Sequence, residues 1–300
     1  MTARALLHIA AGALFACCEL VWQVQVWLAT DALLLAGVCV ALAGMHAGLC
    51  AQAGAERLRG YALMHVGLTM AFFAKNFAAW LVPALAFLCF IAWEGRWREF
   101  ARRELWLPAL LPVASIAAWT AWLAAQPYGP QALRVLYWNN LAGRLFPVAS
   151  EARFDYASGH PNSPGSYLTD LPIDLLPWTL LAVGALLAAW RGVREPGPLR
   201  ASWRFAACVA LPGIAVLSLA ATARSIYAVP CMAGFVLLVV AWMAGADAGT
   251  GTGADAVADG SGARLRLLRA TAAIILALAL ALGALAFALS RIGMVEGAGL

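Results

Sequence analysis

Long apolar stretches recur along the whole chain and are separated by short polar segments. About 20 apolar residues span the hydrocarbon core of a bilayer, so these stretches predict an all-α polytopic membrane protein with about nine transmembrane helices. The third and fourth stretches are short and flank Lys75–Asn76, so they are either two thin spans or one re-entrant pair. The nine predicted spans are approximately residues 5–22, 27–49, 61–74, 77–93, 105–125, 171–190, 205–222, 228–245 and 269–289.

The polar segments between the spans are of two kinds. Residues 246–268 begin with a repetitive Gly, Ala and Asp sequence, which predicts a flexible cytoplasmic linker. Residues 127–170 mix aromatic, amide and charged side chains, which suits a sugar or headgroup site in a long outer loop. The predicted organisation is therefore helices one to five in 1–126, the loop in 127–170, helices six to eight in 171–245, the linker in 246–268 and a terminal helix in 269–300.

Composition supports the membrane interpretation and excludes several other classes. Hydrophobic residues make up 64% of the 300 residues and charged residues 12%, and a soluble fold could not cover that much apolar surface. The same figures exclude a disordered chain, a secreted disulfide scaffold and a nucleic-acid-binding protein. The seven cysteines lie in or at the ends of apolar stretches and are interpreted as small core residues.

The distribution of positive charge predicts the orientation of the chain. With the N-terminus in the cytoplasm, 14 of the 20 Arg and Lys side chains lie on inner segments and 6 on outer segments. Inner loops of membrane proteins carry the excess of positive charge, so this orientation is favoured. Asp31, Lys75, the 127–170 loop and Arg224 with Tyr227 then converge on the outer face.

Asp31 and Lys75 are candidate functional residues because each is a charge at the edge of an apolar span. A carboxylate at Asp31 is costly unless it faces a wet cavity or a partner. The alternative is a helix start, in which Thr30 or Asp31 caps free N–H groups. Lys75 is the only lysine and could bind a phosphate as a point charge, or it could be an interfacial anchor.

The short turn between the seventh and eighth predicted spans holds Arg224 and Tyr227 close to the membrane surface. Arginine can bind a phosphate with two parallel hydrogen bonds and tyrosine can donate to it, although both residues could equally be interfacial anchors. The outer loop contributes candidate substrate contacts at Asn139, Asn140, Arg144, His160 and Tyr167. Signatures of metalloproteases, nucleotide hydrolases and serine hydrolases are absent from the sequence. No cofactor is evident, and metal dependence stays open because no ligand cluster is visible.

An ordered set of short motifs resembles the GT-C membrane glycosyltransferases, specifically the bacterial relatives of aminoarabinose transferase and of protein O-mannosyltransferase. The matching segments are Thr30-Asp31-Ala32-Leu33-Leu34, Phe73-Ala74-Lys75-Asn76, Asn139-Asn140-Leu141-Ala142-Gly143-Arg144, Gly159-His160, Tyr167 with Leu176-Pro177-Trp178, and Arg224-Ser225-Ile226-Tyr227-Ala228-Val229-Pro230. Their order and intervals cover about residues 5–245.

The resemblance implies transfer of a sugar from a polyprenyl-phosphate carrier to a lipid, glycan or protein acceptor at the outer face of a bacterial inner membrane. It implies that Lys75, Arg224 and Tyr227 bind the donor phosphate and that an acidic residue serves as general base, for which Asp31 is the candidate. Many relatives have glycine where this chain has Asn76, and lysine where it has Arg224.

Relatives also begin with a further span and an acidic outer loop, which leads us to expect that the chain lacks the N-terminal part. The alternatives are a lipid-linked sugar transporter, which would place charges near the bilayer midplane, and a non-catalytic membrane subunit.

Overall fold

The computed structural model of the chain is a bundle of helices. It describes residues 3–26, 30–142, 162–220, 224–244 and 254–291, and this part of the chain contains no strand. The helices are α1 (Ala3–Ala16), α2 (Glu19–Val26), α3 (Asp31–Cys50), α4 (Gly54–Lys75), α5 (Leu81–Glu94), α6 (Arg103–Trp106), α7 (Leu110–Ala124), α8 (Gly129–Leu133), α9 (Ser166–Asp174), α10 (Thr179–Gly192), α11 (Arg200–Leu219), α12 (Val229–Ala244) and α13 (Ala254–Arg291). Short 3-10 helices cover Asn76–Trp80, Trp97–Ala101 and Ser225–Ala228, and a π-helix covers Arg134–Ala142.

The predicted all-α membrane fold is confirmed. Six helical stretches of the described residues are long and apolar enough to cross a bilayer: Asp31–Cys50, Gly54–Glu94, Arg103–Ala124, Arg200–Leu219, Ser225–Ala244 and Arg264–Leu285. The pairs α1–α2 and α9–α10 are bent by 68° and 119°, and counting each pair as one span raises the number to eight. The figure of nine spans stays a prediction.

The stretch Gly54–Glu94 folds back on itself at Asn76. Asn76 has a φ of 62°, which few residues other than glycine adopt. The rings of Tyr61 in α4 and Phe87 in α5 lie 6.5 Å apart, whereas a straight helix would separate these residues by about 39 Å. Lys75, the last residue of α4, therefore lies where the chain reverses.

Helices α3 and α4 pack closely because glycines line their contact. A Cβ atom on Gly44 would overlap the backbone nitrogen of Met64, and one on Gly67 would overlap that of Ala41. Small residues allow the backbones of membrane helices to approach in this way. The two helices run antiparallel, so the first residue of α3 and the last residue of α4 lie at the same end of the bundle.

Helices α5, α11 and α12 complete the core and align with this hairpin. Near the end of α11, Gly213 faces Val82 at the start of α5 and Cys231 at the start of α12. At the opposite end, Arg204 of α11 forms an ion pair with Glu94 of α5 at 2.7 Å. The turn that holds Arg224 therefore lies at the same end as Lys75, which we call the Lys75 end.

A buried carboxylate organises the opposite end, which we call the Glu99 end. Glu99 is 3% exposed, accepts a hydrogen bond from the Tyr61 hydroxyl at 2.9 Å, and pairs with Arg96 at 2.8 Å and Arg102 at 3.1 Å. Burial alone would raise the pKa of Glu99, but the hydrogen bonds from Arg96 and Tyr61 and the two positive charges lower it below its ordinary value. This cluster fastens the start of α4 to the segment after α5.

Two predicted polar segments contain more helix than expected. Helix α13 begins at Ala254, inside the predicted linker 246–268, and residues 263–270 that continue it are all strong helix formers. The predicted loop 127–170 contains α8, the π-helix and the first residues of α9. Its residues 143–161 lie outside the described part of the chain, as do residues 245–253 of the linker region.

Candidate functional site

Asp31 and Lys75 form an ion pair at the Lys75 end. The Nζ atom of Lys75 lies 2.9 Å from Oδ1 of Asp31, and the side chains are 24% and 9% exposed respectively. The two charged atoms are close enough for an ion pair, but their geometry is not that of a hydrogen bond to Oδ1. Thr30, one of the two residues expected to cap the helix, makes no capping hydrogen bond through its side chain. The carboxylate of Asp31 neutralises a cation that would otherwise lie partly desolvated.

Asn76 connects the turn after Lys75 to the π-helix. Its side-chain amide donates to the carbonyl oxygen of Leu136 at 2.7 Å, and its carbonyl oxygen accepts from the N–H of Phe77 at 2.6 Å. Asn76 was not among the site residues predicted from the sequence, and it stands where many relatives have glycine. Asparagine tolerates positive φ better than most residues, and here it adds a cross-link that glycine could not make.

The π-helix Arg134–Ala142 belongs to the predicted substrate loop. π-helical turns are rare and are frequently found at functional sites. Asn139 and Asn140 lie on it, although only their backbone is described. Two other predicted substrate contacts, Arg144 and His160, lie outside the described residues.

Aromatic side chains surround the turn on the side of the π-helix. Phe72 contacts Phe77 and Trp119 edge to face, and the ring of Phe77 lies 5.7 Å from that of Tyr137. Beside them, an open groove of about 420 Å³ lies between α7, α8 and the π-helix. Its lining is mostly apolar and consists of Trp119, Leu123, Tyr128, Gln131, Ala132, Val135 and Leu136.

Arg224 begins the second charged turn of the Lys75 end. Its side chain is exposed, whereas Tyr227 is half-buried against the core. The hydroxyl of Tyr167 donates to the carbonyl oxygen of Arg224 at 3.1 Å and accepts from its N–H at 3.0 Å. Tyr167 itself is 1% exposed, so this predicted substrate-loop residue is buried behind the turn.

Asn162, which the sequence analysis did not single out, attaches the same segment to the end of α11. Its side-chain amide donates to the carbonyl oxygens of Leu217 and Ala220 at 3.0 and 2.7 Å. The last carbonyl groups of a helix have no partner within the helix, so this amide caps α11. The signal in the sequence that could have marked Asn162 is its position just before a turn that contains proline and glycine.

The structure thus joins four of the predicted site residues into two pairs, Asp31 with Lys75 and Tyr167 with Arg224, at one end of the bundle. The two charged turns offer an ammonium and a guanidinium at that end, which suits an anionic ligand such as a phosphate. Within the described ranges, no group of three His, Cys, Asp or Glu side chains could hold a metal ion.

The proteins that are similar to this chain in sequence share one name. No protein-family model matches the chain. An undecaprenyl phosphate-α-4-amino-4-deoxy-L-arabinose arabinosyl transferase of Pseudomonas aeruginosa LESB58 is 29% identical over 204 residues, which are 67% of this chain and 34% of that protein. A protein of the same name from Yersinia pestis Pestoides F is 29% identical over 231 residues, covering 74% of this chain and 38% of the relative. The chain therefore spans between a third and two fifths of the length of these curated relatives.

The structural comparison agrees with the sequence comparison. The crystal structure of ArnT from Cupriavidus metallidurans bound to undecaprenyl phosphate matches with a TM-score of 0.63 and 18% identity, covering 78% of this chain and 40% of ArnT. At that identity the match concerns the fold alone. The sequence relatives and the shared fold agree with each other, and together they support membership of the GT-C membrane glycosyltransferases.

Proposed function

We propose that the chain acts in an integral-membrane glycosyltransferase that moves a sugar from a polyprenyl-phosphate-linked donor to a lipid, glycan or protein acceptor. The observation that carries the proposal is that Lys75 and Arg224 lie in two turns at one end of a GT-C bundle. The names of the relatives specify an undecaprenyl phosphate-linked aminoarabinose donor, which supports a carrier of that chemical class here.

In this proposal, the two cations bind the phosphate of the carrier. Lys75 supplies a compact point charge, while the guanidinium of Arg224 can donate two parallel hydrogen bonds. Tyr227, three residues after Arg224, would add a hydroxyl donor. Asp31 then has two roles open to it: it balances the charge of Lys75 while the site is empty, and its carboxylate could accept the proton of the acceptor hydroxyl.

The apolar groove beside the π-helix suits the isoprenoid chain of the carrier. The groove lies next to the turn after Lys75. Leu136, which lines the groove, accepts a hydrogen bond from the side-chain amide of Asn76 in that turn. An isoprenoid chain buries apolar surface in such a groove, while its phosphate stays with the cations. Asn139, Asn140, Arg144 and His160 remain our candidates for contacts with the sugar or the acceptor.

We further propose that the Lys75 end faces the outside of a bacterial inner membrane, with the N-terminus in the cytoplasm. The excess of Arg and Lys on the segments of the other end supports this orientation. The positions of the charges also favour a transferase over a transporter. Asp31 is the first residue of α3 and Lys75 the last of α4, whereas a transporter would place such charges near the middle of its spans.

The direct test is binding of undecaprenyl phosphate to the purified chain. Replacing Lys75 or Arg224 with alanine removes a charge-assisted contact worth about 1.5–3 kcal/mol, so each variant should bind about ten- to a hundredfold more weakly. Lys75→Arg and Arg224→Lys should keep part of the affinity because they keep the charge.

Arg266 provides the matched control, because it is an exposed cation of α13 far along the chain from both turns. Arg266→Ala should bind like the wild type. If Lys75→Ala and Arg224→Ala also bound like the wild type, both cations would be interfacial anchors and the proposed phosphate site would be wrong.

A further inference from the structure

The hydroxyl group of Tyr167 satisfies both polar backbone groups of a single residue. It donates to the carbonyl oxygen of Arg224 and accepts from the N–H of the same residue, at 3.1 and 3.0 Å. Arg224 is in an extended conformation, with φ −144° and ψ 127°, immediately before the 3-10 helix Ser225–Ala228. The backbone N–H and C=O of an extended residue usually bond to a neighbouring strand, and here the Tyr167 hydroxyl takes the place of that strand.

The segment that holds Tyr167 is itself fastened beside the same turn. The amide of Asn162 donates to Leu217 and Ala220 at the end of α11, and the hydroxyl of Ser166 donates to the Asn162 side chain at 2.5 Å. Asn162 and Tyr167 thus contact the chain on both sides of residues 221–223. Two attachments therefore hold this segment against the turn: Asn162 bonds to the end of α11 before the turn, and Tyr167 bonds to Arg224.

The rigidity of Tyr167 suits a role in placing Arg224. Its side chain is fully buried, so the ring cannot change its position without opening the core. The side chain of Arg224 is exposed and long, and its reach is set by the backbone that carries it. Fixing that backbone lowers the entropy that the guanidinium loses when it binds an anion.

We propose that Tyr167 is a positioning residue for Arg224, and that the buried tyrosine sets the affinity of the site for the phosphate of the carrier without touching it. This inference rests on the proposed function, because it takes Arg224 to be a phosphate ligand. It gives Tyr167 a role different from the substrate contact that the sequence suggested.

The test compares two buried tyrosines. Tyr167→Phe removes only the hydroxyl that holds Arg224, and Tyr61→Phe removes a hydroxyl that is bound to Glu99 at the opposite end. Both variants lose a buried hydrogen bond, so both should lose thermal stability to a similar degree. Affinity for undecaprenyl phosphate should fall about two- to tenfold in Tyr167→Phe and stay at the wild-type value in Tyr61→Phe.

The dependence on the phosphate separates positioning from packing. Undecaprenol lacks the phosphate, so Tyr167→Phe should bind it as the wild type does. In the Arg224→Ala background, Tyr167→Phe should cause no further loss of undecaprenyl phosphate affinity, because the residue it positions is absent. If Tyr167→Phe does not yield folded protein, Asn162→Ala releases the other attachment and should show the same pattern.

Three results would overturn the inference. Equal loss of undecaprenol and undecaprenyl phosphate binding would make Tyr167 a packing residue. Unchanged phosphate affinity in Tyr167→Phe, with reduced affinity in Arg224→Ala, would refute positioning while leaving the phosphate site intact. Unchanged affinity in Arg224→Ala itself would refute the phosphate role of Arg224 and the positioning role of Tyr167 together.

Discussion

At the scale of single residues, the ion pair between Asp31 and Lys75 bears directly on the proposed binding of a phosphate at the Lys75 end. An unpaired lysine would attract a phosphate strongly, but it would also be costly to hold partly buried in an empty site. With Asp31 at 2.9 Å, the positive charge is balanced until an anion arrives. In the proposed function, the carrier phosphate would therefore compete with an existing carboxylate contact.

This competition can be tested with Asp31→Asn, which keeps the shape of the side chain and removes its charge. We expect the variant to bind undecaprenyl phosphate at least as tightly as the wild type, because Lys75 no longer has a carboxylate partner. Its free energy of unfolding should fall by about 1–3 kcal/mol, because a partly buried cation loses its partner. Binding assays and thermal unfolding measure the two effects.

Asp170→Asn is the control for this experiment, because Asp170 is an exposed carboxylate on α9 and its loss should change neither quantity. A fall in phosphate affinity to the level of Lys75→Ala would contradict the competition. In that case Asp31 would be needed to orient the ammonium group toward the ligand.

At the scale of helices, the glycine contact between α3 and α4 determines whether that ion pair can form. The backbones approach so closely that a methyl group at Gly44 or Gly67 has no room. Because the carboxylate and the ammonium come from different helices, their separation depends on this approach. The packing of α3 against α4 within the bundle thus sets the distance between the two charged groups at its end.

The substitution Gly67→Leu tests this dependence, because it forces the two backbones apart. Overpacking of this kind costs about 1–3 kcal/mol or more, so we expect a clear loss of thermal stability. The affinity for undecaprenyl phosphate should also change, since Asp31 no longer reaches Lys75. Gly12→Leu in α1 is the matched control, because a Cβ atom on Gly12 would meet nothing within 4 Å.

Unchanged stability in Gly67→Leu would contradict the close approach of α3 and α4. A loss of stability with unchanged phosphate affinity would show that the ion pair adapts to a wider spacing of the helices.

At the scale of the whole molecule, hydrophobicity was sufficient to predict the fold class, because only helices or closed barrels satisfy the backbone in a bilayer. The convergence of Asp31 and Lys75 on one face also followed from the sequence, since two predicted spans separate them. Their direct contact did not follow, because it depends on how closely two particular helices pack. The start of α13 was missed because glycine and aspartate around residue 260 resemble a linker.

The role of Tyr167 shows a different limit. Tyr167 is an aromatic residue in a polar segment between spans, and such segments have the composition of a binding loop, which is why it was predicted to contact substrate. Its burial arises from a fold-back of α9 onto the Arg224 turn, 57 residues further along the chain. Local composition carries no information about such distant contacts, so the partner of the hydroxyl could not be predicted.

Orientation in the membrane is also testable on the whole molecule. A variant with a single cysteine at the exposed position Ser163 should react with a membrane-impermeant thiol reagent in intact cells. A variant that keeps only the exposed native Cys50, at the Glu99 end, should react only after permeabilisation. The reverse pattern would place the Lys75 end in the cytoplasm and exclude an outer-face reaction.

The reversal at residues 51–53, between α3 and α4, brings Asp31 and Lys75 to the same end of the bundle. Between these residues the chain traverses the bundle twice, once in α3 and once in α4, and an even number of traversals always returns to the face it left. The pair would form equally well if the whole protein were inserted upside down. The labelling experiment therefore tests the orientation of the protein, and the binding experiment tests the charged site, independently of each other. An inverted topology would place the Asp31–Lys75 pair in the other compartment with its contact intact.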